Sequence, residues 1–240
     1  MRQFRFLDAL TTAFVVILLV SNLIAQKLIR IGPIPLGAHL HLPAFSTSGA
    51  IVLFPITYIF GDVFTEIYGY AASRRAIWLG FFGTALMYGV SALVIALPSD
   101  PEFRHQDAFV TVFGILPRIL VASLIAFWAG EFANSFTLAK LKLLTKGRML
   151  WTRTIGSTVV GQAVDTTLVI VLTFAGTFTP HKLFEIIWQG WILKVLYETA
   201  ATPVTYLVVN ALKRAEHVDT FDTHTNFNPF RFADRKARAE

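Results

Sequence analysis

Phe14-Val15-Val16-Ile17-Leu18-Leu19-Val20 is the centre of an apolar stretch, residues 9–28, that is long enough to cross a bilayer and carries no charge before Lys27. A spanning helix needs about 20 consecutive, mostly apolar residues. Arg2 and Arg5 before it look like the basic head of a signal peptide, but the apolar run continues through Ser21-Asn22-Leu23-Ile24-Ala25 with no small-residue cleavage pattern, so it reads as a span. Working outward, further stretches of this kind occupy 49–70, 76–97, 115–136, 154–177 and 184–212. The expectation is an all-α integral membrane protein with six transmembrane helices in one domain, 1–212, followed by a basic, loosely ordered cytoplasmic tail, 213–240. The gross composition agrees: of 240 residues, 55% are hydrophobic and only 15% charged, with no cysteine. Soluble domains carry about a quarter charged residues. The missing cysteines exclude disulfide frameworks, thiolate metal sites and cysteine nucleophiles.

The net charge of +6 reads as a topology signal rather than a nucleic-acid footprint. Arg2, Arg5, Arg74, Arg75, Lys140, Lys142, Lys146, Arg148, Arg153, Lys213, Arg214 and the tail bases Arg231, Arg235, Lys236 and Arg238 fall on one side of a six-span layout. Lys27, Arg30, Arg104, Arg118 and Lys182 fall on the other. Loops rich in Lys and Arg stay inside, which puts both termini in the cytoplasm. No basic patch is interleaved with stacking aromatics, so no nucleic-acid partner is expected. The segment 31–48 reads as an outer, partly re-entrant loop, with His39 and His41 as ordinary loop residues. His217 and His224 near Asp219 and Asp222 make a weak metal pattern, and no metal or cofactor is expected.

Ionisable residues inside spans carry the functional reading, because one at a helix centre costs about 2.5–3.5 kcal/mol on insertion scales. Tyr58, Asp62 and Glu66 follow at one-turn intervals and so share a face. Two carboxylates one turn apart require a proton, a cation or a donor-rich ligand. Thr158, Gln162 and Asp165 line a second face, Lys194, Glu198 and Thr202 a third, and Asn22 and Gln26 a fourth. Lys194 is expected to pair with Glu198 or Asp165 in the empty state. Glu131 reads as nearer the cytoplasmic end, either snorkelling to water or joining the site. Carboxylates and carboxamides flanked by aromatics suit a flat heterocycle with several N–H donors: one carboxylate can accept both N–H groups of a guanine-type edge. Phe54, Tyr58 and Phe64 flank the acidic pair, Trp191 adds a ring near Lys194, and Trp188 reads as an interfacial belt residue. No Gly-x-Ser-x-Gly, His-Glu-x-x-His or P-loop string occurs, so an enzyme is not expected. An intramembrane hydrolase on Asp62 and Asp165 has no motif behind it.

Ser21-Asn22-Leu23-Ile24-Ala25-Gln26-Lys27, the string Phe54-Pro55-Ile56-Thr57-Tyr58-Ile59-Phe60-Gly61-Asp62-Val63-Phe64-Thr65-Glu66-Ile67-Tyr68-Gly69-Tyr70, Arg74-Arg75, Gly161-Gln162-Ala163-Val164-Asp165-Thr166 and Lys194-Val195-Leu196-Tyr197-Glu198 through Thr202-Pro203 resemble, in order, the queuosine precursor transporter family (the YhhQ or vitamin uptake transporter family). The His-Leu-His string at 39–41 and the long tail match none of its motifs. The resemblance implies a multi-pass importer in the bacterial inner membrane for 7-cyano-7-deazaguanine, 7-aminomethyl-7-deazaguanine or queuine, salvaged to make queuosine in tRNA. It implies no cofactor; the partners are the base and the lipid bilayer, and a homodimer is left open. The motif-borne polar positions are Asn22, Gln26, Asp62, Glu66, Gln162, Asp165, Lys194 and Glu198. On this reading Asp165 or Glu198 accepts the donor edge of the base, Asn22 and Gln162 meet its carbonyl and pyrrole side, and Lys194 keeps neighbouring carboxylates ionised. The Asp62/Glu66 pair would hold a proton that couples import to the proton gradient. A transporter of another heterocycle or vitamin is the alternative, and an intramembrane enzyme a weaker one.

Overall fold

The computed structural model describes residues 4–32, 34–35, 41–42, 45–114 and 117–231. The expectations for Arg2, His39 and the last bases of the tail lie outside these residues, as does the side chain of Phe54. Helices dominate: α1 Leu7–Ile24, α2 Phe54–Val63, α3 Tyr70–Ala96, α4 Gln106–Phe113, α5 Pro117–Leu144, α6 Leu150–Phe174 and α7 Pro180–Glu216. Among the described residues five candidate spans are long and apolar enough to cross a membrane: α1, α3, α6, α7 and one that takes in α4 and α5. The expected second span is different. It is built from a 3₁₀ turn, Gly49–Val52, the ten-residue α2 and a π-helical turn, Phe64–Tyr68.

These short pieces still connect the two ends of the bundle. At one end Ser48 donates to the Ala25 carbonyl, 3.1 Å, just after α1. At the other the Tyr68 hydroxyl donates to Glu216 at the end of α7, 2.8 Å. The Arg5 and Phe6 amides meet the same Glu216 carboxylate, so the start of α1 and the end of α7 lie together. Asp62, Val63, Phe64, Thr65, Glu66, Ile67, Tyr68 and Tyr70 are all buried. An interrupted segment with two carboxylates belongs inside the protein, because broken helices at membrane depth need neighbours to satisfy their backbone. The long helices wrap it and turn apolar residues outward, as with Leu79, Phe82, Leu86, Val90 and Leu93 of α3, an exposed stripe at helical spacing.

The expected outer loop contains two antiparallel ribbons. Strand β1, Leu28–Ile31, pairs with β4, Phe45–Ser48, and β2, Ile34–Pro35, pairs with β3, His41–Leu42. The ribbon returns the chain to the end of α1, where the Gly49 amide donates to the Lys27 carbonyl, 2.7 Å. A Cβ on Gly49 would sit 2.6 Å from the Ile24 carbonyl oxygen, so this approach requires glycine.

Helices α5 and α6 pack backbone to backbone through Gly130 and Gly161. A Cβ on Gly161 would stand 2.7 Å from Asn134 Cβ and 3.0 Å from the Gly130 carbonyl oxygen. One on Gly130 would meet Asp165 Cβ at 2.7 Å. Small residues allow this in lipid, where packing rather than water exclusion drives helix association. Gly161→Ala is therefore expected to destabilise the fold by about 1–3 kcal/mol through overpacking. Gly89→Ala on α3, with nothing within 4 Å of the added carbon, should not lower stability. Thermal unfolding of both variants in detergent checks the contrast.

The described part of the tail, up to residue 231, departs from the loose order that its composition predicts. Helix α7 passes Lys213 and ends at Glu216, and the next residues are bonded to the body. Both Asp222 carboxylate oxygens accept from the Tyr70 amide, at 3.2 and 3.0 Å, capping α3, whose preceding residue Gly69 has φ +85°. A capping carboxylate at a helix start satisfies an orphan N–H and meets the positive end of the dipole. Arg74, buried, donates to the Asn226 and Asn228 carbonyls, and Trp78 to that of Pro229. The tail is held here through its own backbone carbonyls, which no loop hydropathy reveals.

Candidate functional site

A cavity of about 310 Å³ lies between α1, α2, α5, α6 and α7. This is at the small end of ligand pockets. From the expected site residues it takes Asn22, Tyr58, Asp62, Gln162, Asp165 and Lys194. The Thr158, Gln162 and Asp165 face of α6 lines it as the spacing predicts. Helix α5 adds a face that the sequence reading did not assemble: Ser123, Phe127, Glu131 and Asn134. Their spacing of three and four was available as a signal. Glu131 therefore faces the cavity rather than snorkelling, and its Oε2 stands 3.3 Å from where a Cβ on Gly61 would be.

Charge in the cavity is sparsely compensated. Lys194 donates to Asp165 Oδ2 at 2.7 Å and touches Thr166 Oγ1 at 3.2 Å, the pairing expected of it. Among the described residues no cation lies within ion-pair distance of Asp62, Glu131 or Glu198. Asn134 hydrogen-bonds Asp62, while Asp62 Oδ2, Asn134 Oδ1 and Gln162 Oε1 are buried with no protein partner. A buried polar atom without a partner costs about 1–3 kcal/mol, which a ligand or water can recover.

Four expected residues lie off the cavity wall. Gln26 is exposed in the turn after α1. The Trp191 indole is committed to the Val159 carbonyl, 2.9 Å. Beside it Trp188, expected at the interface and not in the site, is half exposed, its ring 5.2 Å from that of Trp191. Glu198 is buried behind the wall with Oε2 unpartnered. Glu66 points elsewhere: Arg153 Nε and Nη2 hold its two oxygens at 2.7 Å each, and Lys213 reaches Oε1 at 2.6 Å. Lys142 stands 3.5 Å away and also bonds the Glu66 carbonyl. The reason is the π-helical turn, Phe64–Tyr68, which begins between the two carboxylates and adds a residue to the turn. The i, i+4 rule then no longer keeps them on one face. Asp219 closes the cation cluster: burial works against its charge, but hydrogen bonds from Lys142 and Lys213 win and hold its carboxyl below the usual aspartate range.

Residues 48–208, more than half of the chain, match the model of a family described as "Putative vitamin uptake transporter". The chain belongs to this family. Membership and the apolar helices make it a multi-pass membrane transporter. The transporter is also 28% identical over 157 residues to "Probable queuosine precursor transporter" of Bacillus subtilis (strain 168), covering 65% of this chain and 68% of that protein. No solved structure matches it. The matched region holds every cavity side chain from α2, α5, α6 and α7, while the α1 residues precede it.

Proposed function

We propose that this transporter imports a queuosine precursor, one of the 7-deazaguanine bases, across the bacterial inner membrane with both termini in the cytoplasm. It does so without chemical change to the base, which lies in the cavity between α2, α5 and α6. One observation carries the reading: the cavity pairs an excess of uncompensated acceptors with flat aromatic walls. Asp62 and Glu131 lack cations among the described residues, Gln162 offers an open carbonyl oxygen, and Tyr58 and Phe127 line the same space. A deazaguanine supplies what is missing, an N1–H and exocyclic amine side by side on a flat ring. The name of the Bacillus relative points the same way.

In the bound state Glu131 accepts the two N–H groups of that edge, and Gln162 and Asn22 meet the carbonyl and pyrrole side. Tyr58 and Phe127 stack on the ring, a contact worth about 1–3 kcal/mol per base in nucleic-acid complexes. The Asp165–Lys194 pair, about a quarter exposed on each partner, borders the base and can exchange partners with it. This revises the acceptor role from Asp165 or Glu198 to Glu131, because Asp165 is engaged by Lys194 and Glu198 does not reach the cavity wall.

The test uses cells that lack precursor synthesis and their own importer, supplied with each base at low concentration. Expression of this chain should restore queuosine in tRNA for at least one base, with the recovered base unchanged in mass. Failure with all three, despite normal membrane insertion, would overturn the reading in favour of another heterocycle or vitamin.

A further inference from the structure

We propose that Glu198, together with Asp62, is the site of a coupling proton, so that one proton crosses with each imported base. The inference rests on the importer reading and adds its driving force.

The argument is one of charge partners. The polar chain segments at membrane depth hold carboxylates of two kinds. Glu66 has Arg153, Lys142 and Lys213, and Asp165 has Lys194. These pairs are electrically settled, and Glu66 therefore has no role as a proton carrier. Glu198 and Asp62 are each 1% exposed, each keeps a buried oxygen with no partner, and neither has a cation among the described residues. They stand on α2 and α7, which pack against each other. The titratable groups around them add no positive charge at close range: Tyr58 and Glu66 on the α2 segment, Glu131 on α5, and Asp165, already neutralised by Lys194. A carboxyl buried without a cation takes up a proton more readily than one held in an ion pair. A proton is also the cation that fits. It needs one oxygen as seat and one as acceptor, and the described residues contain no cluster of three or more acids or histidines suited to a metal.

Position supplies the coupling. Asp62 is part of the cavity wall and Glu198 lies behind it, so the pair connects the base site to a carboxyl that the base does not touch. Without the proton, two negative charges stand beside Glu131. With it, one of the two carboxyls is neutral, and the loaded cavity can close with less buried charge. The cycle balances: a proton and the base enter from the outer side, both leave inside, and no covalent bond of the base changes.

The full chain in proteoliposomes tests this with radiolabelled queuine, 7-cyano-7-deazaguanine and 7-aminomethyl-7-deazaguanine. With the outside one pH unit more acid and one proton per base, wild type should concentrate its base about tenfold, since 1.4 kcal/mol is a factor of ten. An uncoupler should abolish the gradient. Glu198→Gln should lose accumulation, its ratio falling to about one, while base-for-base counterflow continues. Glu198→Asp, which keeps a carboxyl, should retain part of the accumulation. Undiminished accumulation by Glu198→Gln overturns the proposal, as does wild-type accumulation that ignores the pH step or follows a sodium gradient instead. If wild type moves none of the three bases, the importer reading fails, and an infrared pH titration of the purified protein decides the proton site alone. The carboxylic-acid C=O band should be present in wild type and lost in Glu198→Gln; identical spectra refute the site.

Discussion

Arg153→Met is expected to cost about 3–5 kcal/mol of stability, the range for breaking one side of a buried ion pair. Arg153 and Glu66 are 2% and 0% exposed, and the guanidinium meets both carboxylate oxygens. Its Nη1 also donates to the Arg148 carbonyl at 2.7 Å, bracing the turn between α5 and α6. Removing it leaves Glu66 with only Lys142 and Lys213, neither with a fork that fits both oxygens. Glu66→Gln should be as severe for the opposite reason: Arg153, Lys142 and Lys213 would then converge on a neutral amide, with Asp219 left to pair with the two lysines alone. Lys213→Met is the graded control. Its side chain is 21% exposed, so screening weakens its pair and the loss should stay near 1 kcal/mol. Membrane yield and unfolding temperature in detergent rank the three. Equal behaviour of Arg153→Met and Lys213→Met would mean that the cluster is solvated rather than buried.

That cluster also shows where sequence stops and packing begins. Apolar length and the cost of charge in lipid point to the long helices from residue order alone, and of the four polar faces expected from spacing, those of α2 and α6 reach the cavity wall. The faces of α2 and α6 meet at one cavity because each is a regular run at least as far as Asp62 and Asp165. Regularity then fails at Phe64, where the π-helical turn rotates Glu66 away, and nothing in the composition of Phe64-Thr65-Glu66-Ile67-Tyr68 announces a wider turn. Basic residues counted as topology markers turn out to have structural partners as well: Arg74, Lys142 and Arg153 are buried. A positive-inside count sums them but cannot find their acceptors, which lie far along the chain at Asn226, Asp219 and Glu66. Glu131 was ambiguous because its depth depends on how α2 approaches α5. Gly61 decides that, with no side chain between Glu131 and Asn134.

Glu131→Gln is expected to lower uptake of the base by about 10–100-fold, while membrane yield and unfolding temperature stay at wild-type values. The size follows from one hydrogen bond to a charged group, about 1.5–3 kcal/mol, at a factor of ten for each 1.4 kcal/mol. The substitution keeps shape and length, so it tests chemistry and not packing. A carboxylate takes N1–H and the exocyclic N–H on its two oxygens. A glutamine takes only one, and its own N–H₂ then faces the second donor of the base, a repulsive contact where an attractive one stood. The fold has no comparable stake in this charge, since Glu131 is in no ion pair among the described residues. Gly61→Ala reaches the same group indirectly. Its added carbon would come within 3.3 Å of Glu131 Oε2 and push the carboxylate out of register, so it should weaken uptake in the same direction. A substrate without paired donors would respond differently: Glu131→Gln would then leave its uptake nearly unchanged. Uptake of labelled base by the two variants, measured against a heterocycle lacking the exocyclic amine, therefore reads the donor edge directly. If both compounds lose equally, Glu131 acts on the cavity as a whole and the acceptor of that edge lies elsewhere on the wall.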